Sequence, residues 1–285
     1  MSQPGNLCRF ALAVVSSAAC ARQAAEAPGV QPGTPAGSGA VSPSPELRLR
    51  APNGRPMSSD EIAHTDGTIK YSIGGEGKIP DEARRFHEQG REAGAAGKYA
   101  EALTLFAKAH ETAPGWVYPT YDAAYTYELM GQPGKALASY EEVLKLEPRG
   151  FFNAISSADC LRREAQGNWP AGMCRAYAMM ESLSPREKRK ALETLVTKVP
   201  TLAAAWNDLA ELLDDPAARL QAFDRGLDQR PDPQTRGFLL INKALTLNQV
   251  GKREEARLIL SALTVEPALP GDVEQLAKLS LSQIQ

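Results

Sequence analysis

Small, aromatic and proline positions recur along the chain with a fixed period. Gly97-Lys98-Tyr99-Ala100-Glu101-Ala102 and Gly131-Gln132-Pro133-Gly134-Lys135-Ala136 each lead, through Phe106 or Tyr140, to the prolines Pro114 and Pro148, which are 34 residues apart. This pattern predicts paired helices, in which alanine lies at the crossing and an aromatic ring fills the space between the helices. Glycine ends the first helix and proline ends the second. Because one pair cannot bury its apolar stripe alone, we expect several pairs to stack.

The pattern resembles the tetratricopeptide repeat (TPR) family over residues 81–285. Repeats at 83–114 and 117–148 are the clearest, and Trp206, Leu209, Ala210 and Leu213 restate the opening of a later one. The resemblance implies an all-α fold, a right-handed helical solenoid of about five repeats, closed by a capping helix that Asp272 begins.

The middle of the array is irregular. A third repeat from Phe151 has its turn late, at 167–170, and Ser184-Pro185-Arg186-Glu187 is a strong helix start. The helix that follows, to Val199, has no partner helix in this scheme.

Known members of the family bind an extended peptide or a helix along the concave face, which the first helix of each repeat lines. Tyr118, Tyr121 and Tyr125 share one helix face there, and rigid rings provide large contact area at small entropic cost. With the flanking arginines, they suit a partner that carries apolar and acidic residues. The alternative is that these rings pack against neighbouring helices or the N-terminal segment. The positions implied for the groove are Arg84, His87, Arg91, Tyr118, Tyr121, Asp122, Tyr125, Phe152, Arg162, Asn207, Phe238 and Asn242.

The first 20 residues are predicted to be a signal peptide, because Arg9 precedes a short apolar stretch, 10–19. Cys20 follows small residues and resembles the acylated cysteine of bacterial lipoproteins, although Ser17 stands where that family usually has leucine. Cleavage after Ala19 or Ala21 without acylation is the alternative.

Residues 21–45 are rich in Ala, Pro, Gly and Ser, which predicts a disordered tether. Residues 46–80 contain two alternating stretches typical of short strands, which either pair or lie along the scaffold.

Two cysteines remain after the signal peptide and the acylation site, Cys160 and Cys174. In an oxidising compartment such a pair favours a disulfide, and the turn between their predicted helices would bring them together. Two buried thiols packing as small apolar groups are the alternative. No metal site is expected, since two cysteines without a nearby histidine do not make a four-ligand zinc site.

Charge and motifs narrow the function classes. The 32 basic and 34 acidic residues nearly balance, so nothing favours nucleic acid or an anionic membrane surface. No hydrolase elbow or metalloprotease motif is present, and Gly74-Gly75-Glu76-Gly77-Lys78 lacks the first glycine and the final Ser or Thr of a phosphate loop. We therefore expect no enzyme, no cofactor and no transmembrane helix.

Together these patterns predict a non-catalytic adaptor of the bacterial cell envelope, which binds a protein or peptide and contacts the membrane only through a lipid anchor. The alternatives are an accessory subunit of an envelope enzyme system for cell-wall synthesis or hydrolysis, and a soluble periplasmic ligand-binding protein.

Overall fold

The structure, a computed structural model, describes residues 47–50, 70–73, 79–267 and 269–284. The predicted signal peptide 1–20, with Cys20, and the predicted tether 21–45 lie outside the described residues. Of the two alternatives for 46–80, the structure shows paired strands: β1 (Leu47–Arg50) is antiparallel to β2 (Lys70–Ile73), with Leu47 opposite Ile73.

Helices form the rest of the described chain. A 3₁₀ turn, Met179–Ser182, follows the sixth helix. In chain order the helices are α1 Asp81–Ala95, α2 Tyr99–Thr112, α3 Val117–Leu129, α4 Pro133–Leu146, α5 Ala154–Ala165, α6 Met173–Ala178, α7 Pro185–Lys198, α8 Ala203–Glu211, α9 Pro216–Leu227, α10 Pro233–Gln249, α11 Arg253–Thr264 and α12 Gly271–Gln283.

Consecutive helices pack as hairpins that stack on one another. The pairs α1/α2, α3/α4, α8/α9 and α10/α11 make the most extensive contacts, and each pair also packs on the helix that follows it. One continuous apolar core runs from α3 to α10 and a second joins α10, α11 and α12. The prediction of an all-α solenoid of stacked hairpins is confirmed.

The glycines of the repeated phrase end the first helices as predicted. Gly97, Gly131 and Gly251 have φ of +74°, +70° and +82°, the left-handed region where a side chain is unfavourable. Behind Gly97, the Lys98 N–H donates to the Ala93 carbonyl, which satisfies an end carbonyl of α1 in a Schellman arrangement. The same local chemistry therefore turns the chain at three hairpins.

Close packing explains the small and aromatic positions. Ala102 and Ala136 are fully buried where the helices of a hairpin cross, and Phe106 and Tyr140 fill the adjacent space. Gly90 faces Phe106 so closely that a Cβ there would lie 2.6 Å from the ring atom Cε1. Gly90 is thus a requirement of the first hairpin.

The irregular middle differs from a simple repeat. Ser184 and Glu187 form the predicted capping box at the start of α7. Contrary to the prediction, α7 is not unpaired, because it packs against α8. The short α6 contacts α3 as well as α5, and the Arg175 Nε donates to the Leu129 carbonyl at the end of α3.

The start of the last helix corrects another prediction. Asp272 does not cap α12, because the extended residue before the helix is Pro270 and the helix begins at Gly271. Asp272 lies in the first turn, where its Oδ2 accepts a hydrogen bond from Gln234 Nε2 at 2.8 Å. The side chain therefore connects two helices.

Candidate functional site

Predicted groove residues of the first repeats lie in a cluster of rings that contact one another. The His87 ring centroid is 4.8 Å from that of Trp116, and the Tyr118 centroid is 4.8 Å from that of Phe151. His87 and Tyr121 are buried, and Tyr121 contacts Phe151 edge-on. These rings therefore pack against neighbouring helices, which is the alternative that the sequence left open.

Charges beside this cluster are paired within the chain. Asp122 Oδ2 lies 2.7 Å from His87 Nε2 and 3.8 Å from Arg91 Nε. The Arg84 guanidinium lies over the Trp116 ring, 5.8 Å from its centroid. Four predicted site residues thus support the packing of α1 on α3.

The arginines of α5 are also engaged. Arg162 lies on the exposed side of α5, where it pairs with Glu141 of α4 at 3.2 Å. It is therefore apart from the other predicted groove residues. Arg163, its neighbour, pairs with Asp159 at 2.7 Å and lies over the Trp169 ring. The sequence-based reason for an acidic partner is weakened, because carboxylates of the chain itself already face these cations.

Asn207 and Asn242 are buried between α8 and α10. Asn242 Nδ2 donates to Asn207 Oδ1 at 3.0 Å and to Glu211 Oε1 at 2.8 Å. Burial, and then the nearby Asp208 carboxylate, raises the pKa of Glu211 to about 8. Both asparagines thus join α8 to α10, and Asn207 also borders the space described below.

A polar contact closes the solenoid on itself across its first-helix side. Gln234 at the start of α10 is fully buried, and its Oε1 accepts from the backbone N–H and the hydroxyl of Ser156, both at 3.2 Å. Its Nε2 donates to the Phe152 carbonyl and to Asp272. Phe152 has a φ of +46°, which is rare for a bulky residue. One side chain therefore joins α5, α10 and α12.

A second contact supports the same closure. The Gly271 N–H donates to the Arg149 carbonyl at 2.8 Å, and the Arg149 guanidinium donates to the Leu269 carbonyl at 3.1 Å and pairs with Glu274. Because α5 rests on α10, the described helices do not form one continuous open groove.

Between these helices lies a partly open space of about 110 Å³, here called the central cavity. It is lined by α3, α5, α6, the 3₁₀ turn, α8 and the start of α10. A surface depression of about 460 Å³ adjoins it and shares lining residues with it, among them Arg163 and Trp169. The charged and aromatic side chains of the central cavity are those of Tyr125, Glu128, Asp159, Arg163, Trp169, Tyr177, Glu181, Asp208, Asp232 and Phe238.

Electrostatics in the central cavity are dominated by carboxylates. Lys188 Nζ pairs with Glu181 at 2.5 Å and with Asp208 at 3.2 Å. Burial of the ammonium lowers the pKa of Lys188, but the two carboxylates outweigh this effect and raise the pKa well above its usual range. Burial, and then the Asp208 charge, raises the pKa of Glu181. Lys188 is therefore held as a cation between two acids.

On the opposite wall, Glu128 accepts a hydrogen bond from the Tyr140 hydroxyl at 3.0 Å. Burial raises the pKa of Glu128 to about 7. Burial, and then Glu128, raises the pKa of Tyr125 to about 12, so Tyr125 presents a neutral ring.

A disulfide positions the wall that α6 contributes. Cys160 of α5 and Cys174 of α6 are bonded, with Cα atoms 5.9 Å apart. Glu164 of α5 accepts from the Gly172 and Cys174 N–H groups, both at 2.8 Å. Together they hold α6, and with it Tyr177, against the cavity.

Sequence reasoning reached Tyr125, Asn207 and Phe238 among the cavity residues, since they follow the repeat register. It missed Trp169, Tyr177 and Glu181, which lie where the third repeat is irregular and no register applies. The strong helix start at Ser184 was the available signal, because it marks the segment before it as an insertion.

Chemically, the central cavity offers rings, amides and carboxylates, which are groups that bind. In the described parts of the chain, no three or more His, Cys, Asp or Glu side chains are grouped as metal ligands would be.

Comparison with known proteins gives structural likeness only. No protein-family model matches the chain, and no curated protein sequence is similar to it. Solved structures with a similar arrangement include MamA residues 41 to the end from Desulfovibrio magneticus RS-1, at 15% identity over 70% of this chain and 97% of that one, with a TM-score of 0.32.

Two others are tetratricopeptide repeat proteins. One, from Parabacteroides merdae ATCC 43184, has 15% identity over 72% of this chain and 86% of that one, with a TM-score of 0.32. The other is TTC0263, a thermophilic TPR protein in Thermus thermophilus, at 16% identity over 70% of this chain and 98% of that one, with a TM-score of 0.31. These values carry no information on partners or activity. The fold assignment rests on the helical hairpins themselves.

Proposed function

We propose that this protein is an exported, non-catalytic binding solenoid of the bacterial cell envelope, which holds a segment of a partner protein at the central cavity. The N-terminal pattern of a short apolar stretch followed by Cys20 supports export and lipid anchoring. The Cys160–Cys174 disulfide is of a kind that persists in oxidising compartments. Within the described residues, no helix is both long and apolar enough to span a bilayer.

The observation that carries the binding proposal is the central cavity itself. It lies on the side of the first helices, its lining combines four rings with polar groups, and the adjoining depression connects it to the surface. Concave sites of this composition are the usual places where proteins bind ligands and partner side chains. The small volume also favours a second candidate, a periplasmic protein that binds a small free ligand.

Site-specific photocrosslinking in the native envelope tests the proposal. A photoreactive residue at Tyr125, in the central cavity, should yield a discrete crosslinked protein. The same residue at Leu258, which is 74% exposed on α11, is the matched control and should not yield it. The same products from both positions, or none from Tyr125, would contradict a protein partner at the cavity.

Metabolic labelling with a palmitate analogue tests the anchor. The wild-type chain should incorporate label, and Cys20→Ala should abolish it. Absence of label from the wild-type chain would exclude acylation and leave the ordinary cleavage sites at Ala19 or Ala21.

A further inference from the structure

The central cavity is lined by more acidic than basic side chains. Its described lining includes five carboxylates, those of Glu128, Asp159, Glu181, Asp208 and Asp232, and a single guanidinium, that of Arg163. Arg163 is paired with Asp159. Asp232 accepts from the Gln234 and Thr235 N–H groups as the N-cap of α10. This leaves Glu128, Glu181 and Asp208, which belong to α3, the 3₁₀ turn and α8, and the only cation paired with them among the described residues is Lys188, which serves Glu181 and Asp208.

Asp208 is the least satisfied of these acids. It is 4% exposed and lines the cavity, and its buried Oδ2 has no well-aligned hydrogen-bond donor among the described residues, although the Tyr177 hydroxyl and the Lys188 ammonium both act on this carboxylate. The Lys188 ammonium lies 3.2 Å from this atom without hydrogen-bond alignment, and it also serves Glu181 at 2.5 Å. A buried carboxylate oxygen without a donor is costly, so a ligand that supplies a donor here is favoured.

Rings line the same space. Tyr125, Tyr177, Trp169 and Phe238 come from four different segments and all border the cavity. Aromatic faces attract cations within about 6 Å of the ring centroid, and the attraction grows when the cation is desolvated. Arg163 over Trp169, 5.6 Å from the ring centroid, is an example inside this lining. Carboxylates and rings together select a cation.

We propose that the central cavity takes the charged end of one lysine or arginine side chain from the partner protein. This inference rests on the proposed function and narrows its partner to one with an exposed basic residue. It differs from the expectation from the sequence, which was a partner with apolar and acidic residues facing Arg84, Arg91, Arg162 and Arg163. A volume of about 110 Å³ holds several water molecules or the end of one long side chain, and a folded segment is too large for it.

The test measures binding of defined peptides to the purified full chain. Ac-Gly-Gly-Lys-Gly-Gly-amide and its acetyllysine counterpart differ only in the charged group. The readout is the NMR signal of the Trp169 indole N–H, which donates to Thr201 in the cavity wall and is assigned with Trp169→Phe. We expect saturable shifts with the lysine peptide, and binding at least about 10-fold weaker with acetyllysine.

Asp208→Asn should weaken binding of the lysine peptide about 10-fold to 100-fold, the range of one charged hydrogen bond. Asp214→Asn, on the exposed turn after α8, is the matched control and should leave it unchanged. If Asp208→Asn does not fold, as judged by circular dichroism, Glu181→Gln replaces it with the same expected direction, since Glu181 is only partly buried.

Equal binding of the two peptides, no shift at low-millimolar peptide, or full binding by both variants would overturn the inference. Free n-butylammonium that binds as tightly as the peptide would overturn the assignment to a partner's side chain and indicate a small amine as the ligand. The proposed function fails separately from this inference. In that case the photoreactive residue at Tyr125 crosslinks no protein, while the lysine peptide still binds to the purified chain.

Discussion

Gln234 should decide whether α5 stays packed against α10 and α12. Its fully buried side chain accepts from the Ser156 N–H and hydroxyl and donates to the Phe152 carbonyl and the Asp272 carboxylate. Ser156 is in the first turn of α5, where backbone N–H groups have no partner within the helix. Gln234→Ala therefore removes the hydrogen bonds that this side chain makes to three other residues.

The magnitude follows from those partners. Leaving a buried polar group without a partner costs about 1–3 kcal/mol, and the truncation also leaves a small void. Water that enters the void restores part of the loss. We expect the free energy of unfolding to fall by about 3–5 kcal/mol, which is a large fraction of the roughly 5–15 kcal/mol that is typical of a folded protein.

Two measurements check this. Urea denaturation followed by circular dichroism gives the change in unfolding free energy, and hydrogen exchange at the Ser156 amide reports the lost bond directly. Exchange should rise more at Ser156 than at the Phe106 amide, in the distant first hairpin, which can respond only through unfolding of the whole chain. Gln166→Ala, on an exposed turn, is the matched control and should change stability by no more than about 0.5 kcal/mol.

A loss below about 1 kcal/mol together with unchanged exchange at Ser156 would refute the reasoning, since the partner groups would then be satisfied without Gln234. The contact of α5 with α10, and with it the central cavity, would require another cause.

Three further predictions concern the fold. Reducing the Cys160–Cys174 disulfide, whose cysteines are 14 residues apart, should lower the free energy of unfolding by about 3 kcal/mol, as measured by thermal denaturation. It should also weaken peptide binding, because α6 is then held less firmly. An unchanged melting temperature would contradict this prediction. The folded-state pKa of Glu128 is raised to about 7, so stability should fall as pH rises from about 4.5 to 7, by up to about 3 kcal/mol, and urea titrations of Glu128→Gln should lack this slope. Gly237→Ala would place a Cβ 2.2 Å from Val273 Cγ1 and should cost about 1–3 kcal/mol in urea denaturation; Val273→Ala should relieve most of it, and no relief would exclude this clash.

Much of the fold was predictable because its determinants are local. Gly97 and Gly131 turn the chain within a few residues of where they stand, and Ala102 and Ala136 permit close helix crossing wherever the hairpin lies. The capping box at Ser184 is equally local. Asp272 was misassigned because its side chain is engaged by a residue 38 positions away.

The candidate site was less predictable. Family positions identified Tyr125, Asn207 and Phe238, yet they also selected His87 and Tyr121, which serve packing. Position in a repeat tells which face a side chain occupies, and it does not tell whether another part of the chain covers that face.

The sequence by itself determined the helical hairpins, their glycine turns and their order, because those depend on neighbours one or two turns away. Only the tertiary structure decided that α5 meets α10, that Gln234 reaches Ser156 across 78 residues, and that acids and rings line one cavity. Whether α5 and α10 come into contact depends on how each helix between them is oriented relative to the one before it. Here the irregular segment 167–184 and the short turn at Asp215 interrupt the repeat pattern between the two helices, so the pattern read along the chain could not predict that they meet.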